Sequence, residues 1–242
     1  MIYAAADIHG RYDKYEKLLK ELQLKPKDTL YILGDVIDRG EDGFKILLDI
    51  SSRSNIKMLL GNHEAMAIDA LPCILKGLRE SGKQGNFLKS LPDEDLQKVM
   101  LWFYNKGETS LRDFFQLTNE QKQSVWEYML NLPLYAEITA KFRKFVLVHG
   151  GLENFSEKRP LSDYSQEEIV WCRPMKNTVY YPNKYVVFGH TPTQLLCEKY
   201  HWMGTPGKIV RYGKLIDIDC GCIFPDGQLC CLCLDTMEEI YI

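Results

Sequence analysis

Gly34-Asp35-Val36-Ile37-Asp38-Arg39-Gly40 and Gly61-Asn62-His63-Glu64 are the two stretches whose reading decides the fold of this chain. Each follows a short apolar run, residues 29–33 for the first and 56–60 for the second. Runs of this length that end in a glycine-bearing turn read as buried strands. The same arrangement recurs outward from them. Residues 2–6 lead into Asp7-Ile8-His9-Gly10, residues 145–148 into His149-Gly150-Gly151, and residues 185–188 into Gly189-His190-Thr191. Between the early strands, residues 12–22 set Tyr15, Leu18, Leu19 and Leu22 at helical spacing, and residues 43–50 do the same with Phe44, Leu47 and Leu48. A β-α-β-α-β order predicts an α/β architecture. Taken alone, this pattern predicts one parallel sheet, with polar groups converging at the carboxyl ends of its strands.

The chain has 242 residues, a length that fits one large domain or one domain with an insertion. Apolar residues make up 45% and charged residues 26%, ordinary values for a globular protein. The net charge of -3 argues against a dedicated nucleic-acid surface, which is usually basic. It leaves room for an anionic substrate, because bound cations invert the local charge. The opening residues lack the charged n-region of a secretory signal, and no apolar run is long enough for a membrane helix. A cytoplasmic protein without a membrane partner is the expectation.

From about residue 65 to 134 strand signals disappear. Helical spacing takes over at 95–103 (Leu96, Val99, Met100, Phe103) and 120–130 (Val125, Met129), punctuated by Pro72, Pro92 and Pro133. A single domain over 1–242 is expected, with this stretch as a helical cap insertion that chooses substrates. Residues 215–218, 229–234 and 239–242 read as strands again. Cys220, Cys222, Cys230, Cys231 and Cys233 crowd the end of the chain, around the turn signal Phe224-Pro225-Asp226-Gly227. Their spacing is not that of paired C-x-x-C zinc sites. A hairpin using cysteine as a small hydrophobe is expected, ahead of structural metal or redox sensing.

Four of the five histidines lie in these strand-end motifs, while His201 belongs to none. Asp7 and His9 are two apart and at a strand end can reach one cation. Asp35 can bridge two. Asn62, His149 and His190 can complete the second. Mixed carboxylate, imidazole and amide ligation suits Mn, Fe or Zn better than a thiolate metal. Each motif alone is weak, since a glycine can serve a turn and a buried histidine can be structural. Their joint occurrence after successive strands is what points to a two-metal centre. Arg39, beside Asp38, is available to grip phosphoryl oxygens, with a surface ion pair as its ordinary alternative.

D-x-H-G at 7–10, G-D-x-x-D-R-G at 34–40, G-N-H-E at 61–64, H-G-G at 149–151 and G-H-T at 189–191, in this order, resemble the phosphoprotein phosphatase branch of the calcineurin-like metallophosphoesterases. Weaker similarity runs through residues 105–111, Trp171-Cys172-Arg173-Pro174 and residues 218–222, as in small bacterial and phage members and the relatives that split diadenosine tetraphosphate symmetrically. The resemblance implies an α/β four-layer αββα sandwich of two mixed sheets between helices. It implies Asp7, His9 and Asp35 on a first divalent metal and Asp35, Asn62, His149 and His190 on a second, with a hydroxide shared between them. Manganese is the metal expected, with iron or zinc as alternatives. It further implies Arg39, Arg173 and Asn62 as phosphate-binding groups, His63 as general acid to the leaving oxygen, and Asp38 as the group that positions His63. For Arg173 the alternative is packing of the cation on an aromatic ring. Lys106 stands where the family has the first glycine of an N-G-G pattern.

Three functions remain open on these residues. The first is a serine/threonine protein phosphatase acting on phosphomonoesters. The second is a hydrolase of diadenosine tetraphosphate or another small phosphoester. The third is a non-catalytic phosphate-binding scaffold, against which the intact ligand set with Arg39 and His63 argues. An aromatic and basic cap (Trp102, Phe103, Tyr104, Lys106, Arg112) is what a nucleotide would use.

Overall fold

A computed structural model describes residues 1–81 and 87–242. Among the described residues ten strands form two five-stranded sheets. In the first sheet β1 (Ile2–Ala5) pairs in parallel with β2 (Thr29–Ile32), and β2 with β3 (Ile56–Met58). On its other side β1 runs antiparallel to β9 (Cys230–Cys233), which pairs with β10 (Glu239–Tyr241). The second sheet has β4 (Tyr135–Ala140) antiparallel to β5 (Arg143–Val148), β5 and β6 (Lys184–Phe188) parallel, then β8 (Leu215–Asp217) and the antiparallel edge β7 (Val210–Tyr212).

Side-chain alternation explains how the sheets stack. Ala4, Tyr31, Phe145, Leu147, Val187 and Ile216 share one buried cluster between the two sheets. Their chain neighbours Ala5, Leu30 and Ile32 instead face helices α1 (Tyr12–Leu22), α2 (Gly43–Ser52) and α3 (Asn62–Ser81). Val146, Val148, Val186 and Phe188 face the opposite helical layer with α7 (Gln166–Val170) and α8 (Thr193–Glu198). The result is four layers, αββα. The single parallel sheet expected from strand order alone is therefore corrected. A strand covered on both faces reads as a continuous apolar run whichever sheet it joins, so the runs carried no sign of a second sheet.

Between β3 and β4 most of the described residues are helical. They form α3, α4 (Asp93–Tyr104), α5 (Glu108–Gln116) and α6 (Asn119–Leu130), beside a short 3-10 turn at Phe87–Ser90. Thr118 caps α6 through a reciprocal capping box with Gln121. Strand β4, which directly follows, gave no sequence signal. No helix among the described residues is long and apolar enough to cross a membrane.

The expected cysteine hairpin does not form. β8 lies in one sheet and β9 in the other, and residues 218–229 carry the chain across. The tight turn inside this crossing brings Gly227 so close to the Gly221 carbonyl that a Cβ there would overlap it. All eight cysteines are free. Cys220 and Cys230 fill the space between the sheets, while Cys222 and Cys231 face the outer helices. Burial pushes the Cys222 thiol up to about 12, which suits a small apolar filler better than a reactive thiol.

Leu147 is fully buried at the seam between the sheets. Leu147→Ala is expected to lower unfolding free energy by about 2–5 kcal/mol in urea titrations. A loss well under 1 kcal/mol would mean that the seam collapses over the gap (a site free to relax costs least).

Candidate metal centre

The motif residues begin where the strands stop. β1, β2 and β6 each end before their motif. The chain there turns through the left-handed region at Asp7 (φ 53°), His9 (φ 48°), Asp35 (φ 54°), Asp38 (φ 68°), Arg39 (φ 67°) and His190 (φ 70°). For non-glycine residues each such conformation costs on the order of 1–3 kcal/mol, and such residues gather at functional sites. Asp7 and His9 therefore converge from a turn and do not share a strand face.

One interaction holds the Asp35 turn. The Glu64 carboxylate, fully buried in the first turn of α3, accepts the backbone N–H groups of Asp35 (2.9 Å), Val36 (2.9 Å), Ile37 (3.2 Å) and Gly61 (3.2 Å). Burial and the neighbouring Asp35 push its carboxyl up to about 7, against the pull of those amides. Asp35 Oδ1 in turn accepts the His63 N–H at 3.0 Å. It lies against Gly61, where a Cβ would stand 2.2 Å from it.

Asp35 stands between two groups of potential ligands, His9 with His63 on one side and His149 with His190 on the other. Its Oδ2 lies 3.8 Å from His9 Nε2 and 3.7 Å from His63 Nε2, and its Oδ1 lies 3.4 Å from His149 Nε2. Asn62 Oδ1 is 2.8 Å from both His149 Nε2 and His190 Nδ1. Asp7 is outside both groups. Its carboxylate accepts the His190 N–H and packs against Gly189.

The tautomers favour a cation. His9 Nδ1 donates to the Ile37 carbonyl (2.9 Å) and His149 Nδ1 to the Leu33 carbonyl (2.7 Å). Each ring thus turns its Nε2 inward. His9 Nε2 and His190 Nε2 are buried with no hydrogen-bond partner among the described residues. Nitrogen and oxygen atoms of His149, His190, Asn62 and Asp35 converge within 2.8–3.4 Å, an arrangement that a ring-nitrogen proton or a bound cation makes favourable. Asp7, Asp35, Asp217 and Asp219 are four carboxylates each at most 2% exposed. Burial, with Asp219 and Asp35 nearby, drives the Asp7 carboxyl well above its usual range, and burial raises Asp219 to about 6. Burial also opposes a charged His149, yet Asp35 outweighs it and holds that imidazole above its usual value. The nitrogen and oxygen donors present fit divalent Mn, Fe or Zn.

His63 is gripped from both ends. Its Nδ1 donates to Asp38 Oδ2 at 2.6 Å, and its Nε2 lies 3.3 Å from Arg39 Nη2. Asp38 Oδ2 also accepts the Trp102 indole N–H at 2.9 Å, and the Asp38 N–H donates to Ser110 Oγ at 2.7 Å. Trp102 is wholly buried in α4, so it cannot stack on a nucleobase. Lys106, in the left-handed region, offers its carbonyl to the Arg39 N–H, while a Cβ at Gly107 would strike the Trp102 ring. Arg173 is exposed and donates to Thr191 Oγ1 at 2.6 Å, next to His190. Trp171 meets the His190 ring edge to face at 5.9 Å.

Sequence reasoning missed Glu64, Trp102, Ser110 and Asp219 as parts of this region. Glu64 was visible inside its motif but had no assigned task. Trp102 sat in a helical pattern that any core aromatic satisfies.

A family model described as calcineurin-like phosphoesterase matches residues 1–207. A symmetrical bis(5'-nucleosyl)-tetraphosphatase of Buchnera aphidicola is 35% identical over 103 residues, 42% of this chain and 36% of that protein. Serine/threonine-protein phosphatase 2 of Escherichia coli is 28% identical over 174 residues, 70% of this chain and 66% of that protein. The match thus spans about a third of the length of the tetraphosphatase relatives. Among solved structures, a Saccharomyces cerevisiae protein serine/threonine phosphatase superposes with a TM-score of 0.56 at 17% identity, over 100% of this chain and 78% of the other. A cold-active protein-tyrosine phosphatase of a Shewanella species gives 0.56 at 13% identity, over 99% and 79%. These two share the fold.

Glu64→Ala would strand four buried N–H donors, each costing about 1–3 kcal/mol when unpaired. Urea unfolding is expected to show a loss of several kcal/mol, larger than for Glu64→Gln, which keeps one acceptor oxygen. Equal losses would mean that the carboxylate does not hold the turn.

Proposed function

The chain belongs to the calcineurin-like phosphoesterases, and on that premise we propose that it is a dinuclear metal-dependent phosphatase whose substrates are phosphoserine and phosphothreonine in proteins. The observation that carries the reading is Asp35, shared between two ligand groups, with His63 and Arg39 in contact beside them. In this reading Asp7, His9 and Asp35 hold one ion and Asp35, Asn62, His149 and His190 the other. Two such ions, Mn²⁺ here with iron or zinc as alternatives, supply Lewis acidity toward phosphoryl oxygens and a water that ionises near neutral pH.

The remaining work falls to the chain's own side chains. Arg39 presents a planar guanidinium to phosphoryl oxygens, and Arg173 does so from the far side of His190. His63 delivers a proton from Nε2 to the departing oxygen, a step worth about 10²–10⁴ in rate. Asp38 keeps the His63 tautomer with its proton on Nδ1. Trp102 donates to the same Asp38 oxygen and so fixes the carboxylate that fixes the acid. No covalent phosphoenzyme is required.

Length of similarity supports the protein-phosphatase reading, since the E. coli phosphatase match runs over 174 residues and the Buchnera tetraphosphatase match over 103. The burial of Trp102 also removes one of the aromatics a nucleotide would want. Symmetrical cleavage of a dinucleoside tetraphosphate is the second reading, supported by the higher identity of the Buchnera relative. Rates on phosphopeptides and on diadenosine tetraphosphate with Mn²⁺, measured side by side with product identification, test the pair. Faster cleavage of the dinucleotide would overturn the first reading. No turnover of either, or of an aryl phosphate, with any divalent metal would leave a phosphate-binding scaffold.

His63→Asn is expected to slow alkyl phosphate hydrolysis by about 10²-fold or more while metal content by elemental analysis stays at wild type. Loss of a full metal equivalent would make His63 a ligand. Trp102→Phe is expected to cut the same rate roughly tenfold, about 1.4 kcal/mol, and to spare esters with good leaving groups. Equal slowing of both ester types would reduce Trp102 to a packing role.

A further inference from the structure

A groove of about 630 Å³ lies on the outer face of the helical segment, away from the metal centre, between α3, α5 and α6. Pro72, Leu75, Phe115 and Trp126 make its apolar floor. Lys76, Arg79 and Lys122 stand around it, and among the described residues no carboxylate lines it. Lys76 faces Asp95 of α4 at 3.7 Å. Lys122 rests over the rings of Phe114 and Phe115 at 5.7 and 5.9 Å. No ion pair involves Arg79 or Lys122 among the described residues. Phe115 is 44% exposed. In a chain of net charge -3 this apolar, basic concavity is a local reversal. It is a surface that an acidic chain segment with apolar side chains would complement.

We propose that this groove is a docking site for an acidic, apolar segment of the phosphoprotein substrate, distinct from the phosphate-binding centre. The proposal rests on the protein-phosphatase reading above, because a small phosphoester has no such second segment. Geometry sets a spacing. Asn62 opens α3 at the metal centre, and Leu71, where the groove begins on that helix, lies nine residues further along, about 14 Å at 1.5 Å per residue. An extended peptide covers at most about 3.3–3.6 Å per residue, so at least about four residues must separate the phosphorylated residue from the docked segment. The groove then adds affinity by making capture of the phosphate intramolecular, and it leaves the chemical step alone.

The test uses the full chain with Mn²⁺ and three phosphoserine peptides. One carries a segment of alternating glutamate with leucine and phenylalanine eight residues away. The second replaces its glutamates with lysines. The third keeps the acidic segment only two residues away. The first is expected to show a KM roughly tenfold below the other two at equal kcat, an advantage that fades at high salt as the charges are screened. Arg79→Glu with Lys122→Glu, or Lys122→Glu alone, is expected to abolish the advantage and leave p-nitrophenyl phosphate turnover unchanged. The unphosphorylated acidic segment is expected to change Trp126 fluorescence saturably, and not in the double variant.

Equal KM values for the three peptides, or an advantage that survives the charge reversals, would overturn the docking site. Concentration-dependent dimerisation lost in the double variant would assign the groove to a second copy of the chain and overturn it as well. Diadenosine tetraphosphate cleavage with no phosphopeptide turnover would sink the protein-phosphatase reading and the substrate-docking role together. The fluorescence titration reports separately on whether the groove binds the acidic segment.

Discussion

Four backbone N–H groups converging on the Glu64 carboxylate tie the turn after β2 to the first turn of α3. Much of the centre hangs on that tie. It fixes Asp35 with one oxygen toward His149 and the other toward His9 and His63. It brings Asn62, at the start of the same helix, against His149 and His190. A buried carboxylate with four donors is tolerated because every donor would otherwise be unpaired in an apolar setting. The left-handed backbone at Asp35 is held by the same closure. Strain of that kind persists only where its surroundings over-determine it.

A second dependence links the helical segment to the chemistry. Trp102 of α4, Ser110 of α5 and the Lys106 carbonyl between them all bind the stretch Asp38–Arg39. The same helices that would meet a substrate therefore also hold the residue that orients His63.

Much of the first sixty residues was legible. β1, α1, β2, α2 and β3 lie where the periodicity placed them, because each is amphipathic or bounded by turn residues. The second sheet was not legible. Val146 and Leu147 face opposite layers, yet both are apolar, so their alternation is invisible in the sequence. β4 failed for the opposite reason. Tyr135–Ala140 is mostly half-exposed, with Glu137 and Thr139 facing solvent, and its only paired neighbour is β5. The cysteine-rich end misled because a turn between two apolar runs looks the same whether the runs pair or part into separate sheets.

The sequence by itself supplied the candidate donors. Histidine, aspartate and asparagine side chains after successive strands carry their own chemistry, and no folding detail changes which atoms can bind a cation. Only the tertiary structure decided how those atoms meet. Asp35 stands between two groups because Glu64 locks its turn, and His9 and His149 turn Nε2 inward because the Ile37 and Leu33 carbonyls take their Nδ1 protons. Those carbonyls, like the Trp102 indole on Asp38, lie far from their partners along the chain or belong to the backbone. Neither leaves a mark in residue type or spacing, since a hydrogen bond made across the fold is a property of distance and angle.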